Sequence, residues 1–205
     1  MIRLLLLFFV LTGWAAAQEP FLMVVVDVFR VPGQGTVVQG KVLKGRLEVG
    51  QPVELVGLDK QISAEVTGIR KFRLPQQVAE AGQEYGIVLK GVNKDDAGRG
   101  QVLATPGTVK AAKTFVADTN WLSPGQGGRV SPVTTEYEPE LEIRGTGIHA
   151  QIVDLGGQSS LPLGGKGPIK LRLRQSLVLE KGLEFTVTES GRTVGSGTVV
   201  EVLGE

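Results

Sequence analysis

Three short stretches have the residue types and order to handle a nucleotide. Gly35-Thr36-Val37-Val38-Gln39-Gly40-Lys41 fits the first seven positions of a phosphate-binding loop, in which backbone amides and a lysine would cradle phosphates. Asn93-Lys94-Asp95-Asp96 fits the guanine-reading pattern NKxD, and Asp154-Leu155-Gly156-Gly157 fits DxxG. Their context argues against that chemistry. Position eight of the loop is Val42, which has no hydroxyl for magnesium, and the stretch reads as a strand with no following helix to aim amide dipoles at phosphate. A nucleotide-hydrolysing domain also places DxxG before NKxD, within alternating strands and helices, so the matches are read as chance and no GTP binding is expected. His149 is the one histidine and cysteine is absent, so thiolate catalysis, disulfides and histidine-based metal clusters lack their residues. Carboxylate-only chemistry stays open, but no acid stands in a recognisable apolar pocket. The expectation is a protein that is not an enzyme and carries no cofactor and no metal.

Charge alternation marks two further segments. Glu136, Glu138, Glu140 and Glu142 lie two apart, so in an extended strand they share one face, with Tyr137, Leu141 and Ile143 on the other. Lys170, Arg172 and Arg174 repeat the pattern with positive sign, opposite Leu171 and Leu173. A calcium site on the acidic face is disfavoured, because same-face neighbours sit roughly 7 Å apart while calcium binds oxygen at about 2.4 Å. Solvated faces of half-buried strands are one reading. The sharper expectation puts the two ladders on neighbouring strands, where opposite charges pair at roughly 0.2–1 kcal/mol each. If they are independent instead, the acidic strip is free to contact a cationic partner.

The elements that would carry these residues are strands. Among the 205 residues, 29 are glycine, and 22 basic side chains nearly cancel 21 acidic ones, which leaves no surplus to draw the chain to nucleic acid or anionic lipid. Residues 1–17 read as a signal peptide: a cationic start at Met1-Ile2-Arg3, an apolar run over 4–11, and Ala15-Ala16-Ala17 before a cleavage that leaves Gln18 first. That run is too short for an anchor, which takes about 20 residues, and no later segment could span a membrane. The expected location is therefore secreted or periplasmic. Apolar and β-branched stretches over 21–31, 36–43, 53–56, 65–69, 87–89 and 101–104 alternate with glycine-bearing turns, as in a small antiparallel barrel or sandwich. Only 76–80 suggests helix. Thr105-Pro106-Gly107 closes this series, and a second set begins near Lys113, runs through 141–143 and 170–174 and ends over 198–203. The domains are set at 18–107 and 108–205.

A family resemblance rests on residues in both halves. Phe21-Leu22-Met23, Asp27-Val28-Phe29, Gly35-Thr36-Val37-Val38, Gly40, Val49-Gly50 and Glu54-Leu55-Val56-Gly57-Leu58 resemble the opening of the second domain of elongation factor Tu. Thr67-Gly68-Ile69, Phe72-Arg73, Gly91-Val92 and Arg99-Gly100-Gln101-Val102-Leu103-Ala104 continue it in register. Leu122-Ser123, Gly127-Gly128-Arg129, Tyr137-Glu138-Pro139, Gly182-Leu183-Glu184-Phe185 and Gly191-Arg192-Thr193-Val194-Gly195-Ser196-Gly197 are similar to its third domain. The resemblance covers nearly everything after residue 20. It implies an all-β fold of two consecutive six-stranded antiparallel Greek-key barrels, a domain II-like one over 18–107 and a domain III-like one over 108–205.

What the family does with these domains is expected to be altered. There the GTPase domain supplies nucleotide binding and, with the second domain, grips the aminoacylated end of transfer RNA; in this sequence a start methionine and a signal-like run precede Phe21. The family's Val-Glu-x-Phe-Arg places a glutamate beside the terminal ribose. Here Arg70 stands at that position, while Phe72 and Arg73 remain. Val26 replaces a glutamate just before Asp27, and Glu84 aligns with an asparagine near the aminoacyl group. Asp27, Phe29, Arg70, Phe72, Arg73 and Glu84 thus form the surface that the resemblance implies for the acceptor end, in vestigial form. The family's Tyr-Arg-Pro-Gln stretch, which faces the T-stem, reads Tyr137-Glu138-Pro139-Glu140, so carboxylates repelling at up to about 1 kcal/mol each would face phosphates. The glycine pair near the end of that domain appears as Ser190-Gly191. Transfer RNA binding is expected to be lost. Two readings follow: an exported, non-catalytic binding or scaffold protein whose partner is a protein or surface polymer, and a cytoplasmic translation-type protein that binds RNA or a translation factor.

Overall fold

A computed structural model describes residues 19–204, so the expected signal peptide lies outside the described residues. The chain is all-β. The first half contributes β1 (Leu22–Val31), β2 (Gly35–Lys44), β3 (Arg46–Glu48), β4 (Pro52–Gly57), β5 (Lys60–Lys71), β6 (Leu74–Gln76), β7 (Val78–Glu80), β8 (Glu84–Lys90) and β9 (Val102–Ala104). The second half contributes β10 (Ala111–Trp121), β11 (Glu140–Ile143), β12 (Thr146–Asp154), β13 (Lys166–Val178), β14 (Glu184–Glu189) and β15 (Arg192–Gly204). Two short 3-10 turns, Lys94–Asp96 and Pro124–Gln126, are the helical segments among the described residues. No helix there is long and apolar enough to cross a membrane.

The second half closes into a six-stranded barrel in the order β10-β13-β12-β11-β14-β15, every pairing antiparallel. The reason is visible in β12, where Thr146, Ile148, Ala150 and Ile152 are buried while Gly147, His149, Gln151 and Val153 face out. Such strict alternation gives each strand one apolar face, and closing the sheet buries all of those faces together while leaving no open edge. The core holds Phe115 and Phe185 edge to face, ring centroids 5.9 Å apart. In the first half a seven-stranded sheet runs β4-β9-β1-β2-β8-β5-β6, with β4 also paired to β5, and β3 pairs β7 separately. Its core is built on Phe21, Met23, Leu55, Ile69, Ile87 and Leu103. A third apolar cluster joins Leu22, Val24, Val56, Val102 and Ala104 of the first half to Val178 on β13, so the halves pack directly on each other.

Three sequence expectations are corrected here. Residues 76–80 are not helical: Gln76 ends β6, and Val78–Glu80 pairs with Arg46–Glu48, burying Ala79 completely. Leu47 and Ala79 share that buried face, and tertiary pairing overrides a five-residue helical tendency. The acidic ladder is not one strand face. β11 begins only at Glu140; Glu136 lies in a turn, and Glu138 precedes Pro139, whose ring cannot donate to a ladder. Nor are the ladders neighbours, because β12 separates β11 from β13. One pair does meet, Arg174 donating to Glu138 at 2.6 Å. Glu140 instead accepts a hydrogen bond from the Thr188 hydroxyl of β14 at 3.2 Å.

Candidate functional site

Phe72 is 89% exposed, the most exposed large apolar side chain of the described residues. It sits in the two-residue turn between β5 and β6, where Lys71 pairs with Leu74 and both central residues have positive φ, 50° at Phe72 and 68° at Arg73. Hairpins favour this mirror-image geometry because its twist matches the strands, but glycine or asparagine normally occupy it. A phenylalanine and an arginine held there cost free energy, and the reward is a ring and a guanidinium projected from a rigid hairpin.

Beneath that tip lies a cavity of about 500 Å³. β5 and β6 bring Arg70, Phe72 and Arg73; β1 brings Phe29 and Val31; β2 brings Val37 and Gln39; β8 brings Glu84, Tyr85 and Gly86. The strand order explains the convergence, since β2, β8 and β5 are successive neighbours and Gly86 pairs with both Gln39 and Arg70. Five of the six residues singled out for this surface therefore share one concavity. Asp27 does not line it. A register shift between Val25 and Asp27 bends β1, and the Asp27 carboxylate accepts the Val28 amide at 2.8 Å instead.

Neighbours hold the cations in place. Arg70 donates to the Gln34 side chain in the β1–β2 turn, and Lys71 donates to Gln83 at 2.9 Å with its ammonium 5.8 Å from the Tyr85 ring centre. Val31, Val37, Gln39 and Tyr85 were not singled out from the sequence. Val37 and Tyr85 are buried, Tyr85 within the first-half core, and which strand faces meet at the cavity depends on strand order. The cavity offers the Phe29 and Phe72 rings, the Arg70 and Arg73 guanidiniums, the Tyr85 phenol and the Glu84 carboxylate.

The three nucleotide-like motifs have local roles in the fold. Residues 35–41 lie within β2, and a methyl group at Gly40 would stand 1.9 Å from the Val24 carbonyl oxygen, so close strand approach requires glycine there. Asp96 accepts from Lys60 at 2.7 Å and from Asn93 at 3.1 Å, which hold its carboxyl below the ordinary range. Asp154 accepts the amides of Gly156 and Gly157 and so closes the turn after β12. His149 is an outward residue of β12.

Of the acidic strip, Glu142 faces a groove of about 620 Å³ shared with Asp118 and Glu184. Among the described residues no group of three or more His, Cys, Asp or Glu side chains is placed to hold a metal ion. Tyr137 is a packing element, with the Arg129 guanidinium 3.6 Å over its ring and Trp121 edge-on at 6.1 Å. Arg129 is itself paired to Glu189 at 2.7 Å.

Comparison with protein families agrees with this architecture in both halves. Residues 35–104 match the family described as Elongation factor Tu domain 2, and residues 108–203 match Elongation factor Tu C-terminal domain. Over residues 35–203 the chain belongs to the elongation factor Tu family, through that factor's second and C-terminal domains.

Proposed function

We propose that this protein is an exported, non-catalytic binding or scaffold member of the family, working without GTP hydrolysis of its own, and that its ligand site is the cavity beneath Phe72. The observation that carries the reading is the convergence of Phe29, Arg70, Phe72, Arg73 and Glu84 on one concavity. Function resides in such sites and not in the fold around them. In this reading the first half is the second barrel of the pair, its ring completed where β4 meets β5.

Arg70 gives the site its direction. The glutamate that the family carries at this position can accept hydrogen bonds from ribose hydroxyls; a guanidinium has no acceptor at all. With Arg73 beside it, the cavity favours a group bearing negative charge, while Phe29 and Phe72 take an apolar or planar portion by stacking. A segment of a protein or of a surface polymer with an anionic group next to an apolar one fits that chemistry. Export is inferred from residues 3–17, where a cationic start, an apolar run and small residues follow in order.

A cytoplasmic translation-type reading, with RNA as ligand, draws on the exposed Phe72 ring and the adjacent Arg73, since bases stack on such a platform. Photocrosslinking separates the two. With p-benzoylphenylalanine replacing Phe72 in the native host, adducts to an extracytoplasmic protein or polymer, lost on Arg73→Glu, are the expected result. Adducts to transfer RNA or a ribosome-associated factor would establish the other reading. A yield no higher than from the same probe at Val130, an exposed residue of the other half, would remove the cavity as the site.

A further inference from the structure

A second concavity lies between the two halves, and it shares no lining residue with the Phe72 cavity. It encloses about 640 Å³ and is lined by Lys60 from the start of β5, Lys110 from the crossing segment, Lys113 from β10 and Arg172 from β13, together with Asp59 and Ser176. The whole chain carries a net charge of only +1. Four cations at one cleft are thus a local concentration and not a sample of a generally basic surface.

The partners of these groups decide which of them are free to bind. Lys60 is held by Asp96 at 2.7 Å, and Lys113 by Asp59 at 3.0 Å. The acids nearby are also committed. Asp59 accepts the Ser176 amide at 3.0 Å, and Glu54 accepts the amide of Gly107 at 3.1 Å and the side chain of Gln61 at 3.0 Å, two residues that line the cleft. Lys110 and Arg172 form no ion pair or side-chain hydrogen bond among the described residues, and both are exposed. Lys110 stands just before β10, and Arg172 lies on β13, the strand paired with it. Arg172 is fixed by the register of β13, opposite Thr114 of β10 and Gln151 of β12.

We propose that this cleft binds a compact polyvalent anion of the phosphate or pyrophosphate type, gripped by Arg172 and Lys110 and supported by the ammonium groups of Lys60 and Lys113. A guanidinium presents paired donors that match a tetrahedral oxyanion, and ammonium groups add point charge without fixing direction. A ligand with one charge would not engage all four cations. A bound polyanion bridges the two halves and therefore stabilises the folded chain by mass action. The site lies apart from the Phe72 cavity, so its fate is independent of that reading.

Calorimetry of the mature chain with inorganic pyrophosphate at low ionic strength tests the proposal. Saturable binding of one anion per chain is expected, weakened about tenfold or more by the double change Lys110→Ala and Arg172→Ala. The swap Lys110→Arg with Arg172→Lys keeps the charge but moves the paired donors, so it should weaken binding less than the double alanine change, while a thermal melt checks that each variant is folded. Lys166→Ala with Arg192→Ala removes the same charge elsewhere and should leave binding unchanged. Absence of saturable binding, or an equal loss in that control, overturns the proposal.

Discussion

Asp59 and Ser176 hold each other reciprocally across the two halves of the molecule: the Asp59 amide donates to the Ser176 hydroxyl at 3.0 Å, and the Ser176 amide donates to the Asp59 carboxylate at 3.0 Å. Lys113 adds an ion pair at 3.0 Å, and the adjacent Leu58 amide reaches the Ser176 carbonyl at 2.6 Å. The Leu58-Asp59 turn, both residues at positive φ, thereby clasps β13.

The Ser176 amide, aided by Lys113, holds the Asp59 carboxyl below its ordinary value of 3.8. A depressed folded pKa stabilises above the unfolded pKa, and that contribution is lost as pH falls through the folded value. Asp59→Asn, whose side chain tolerates the left-handed turn, should lower stability by about 1 kcal/mol near neutral pH, a modest figure because the side chain is 44% exposed. Its melting temperature and that of the wild type should converge as pH drops below about 4. A difference that stays constant down to about pH 2 would assign the loss to packing instead.

The charge ladders should couple at one point only. Glu138 and Arg174 are in contact but half or more exposed, at 50% and 65%, so a double-mutant cycle should give about 0.2–1 kcal/mol, shrinking with salt. The Glu140–Arg172 cycle should be additive, because β12 lies between their strands. Coupling at the second pair would mean that the strand order is wrong.

At Phe72 the backbone matters more than burial. Although the side chain is 89% exposed, Phe72→Val should destabilise by roughly 1–2 kcal/mol, since a β-branched residue is strained at a φ of 50°. Phe72→Asn should stay within about 0.5 kcal/mol in urea unfolding. Equal effects would show that the turn relaxes.

Gly40 separates strand packing from phosphate binding. Gly40→Ala would drive a methyl group to 1.9 Å from the Val24 carbonyl oxygen, forcing β1 and β2 apart at a loss of more than about 2 kcal/mol. Calorimetry of the wild type with GTP or GDP and magnesium should show no specific heat. A micromolar affinity would restore the phosphate-loop reading of residues 35–41.

Much of the strand content was legible because alternation and glycine turns are local signals. β12 and β14 were not singled out, although in β12 Thr146, Ile148, Ala150 and Ile152 alternate cleanly with outward Gly147, His149, Gln151 and Val153. The four-glutamate ladder misled for a physical reason. Period two is necessary for a strand but not sufficient, and Pro139 interrupts the hydrogen bonding that would extend β11 toward Glu136. For the site, family resemblance selected Phe29, Arg70, Phe72, Arg73 and Glu84, but their shared cavity follows from the order β2-β8-β5, a long-range pairing that no local pattern encodes. The bend that turns Asp27 aside is a register shift, equally invisible in composition.

The exported binding module and the cytoplasmic translation protein differ most sharply in where the native chain resides and where it begins. Mass spectrometry of its N-terminus, taken from separated cell fractions, decides between them. The proposed function predicts a mature chain starting at or near Gln18 and recovered outside the cytoplasm. An intact Met1 in the cytosolic fraction would contradict it.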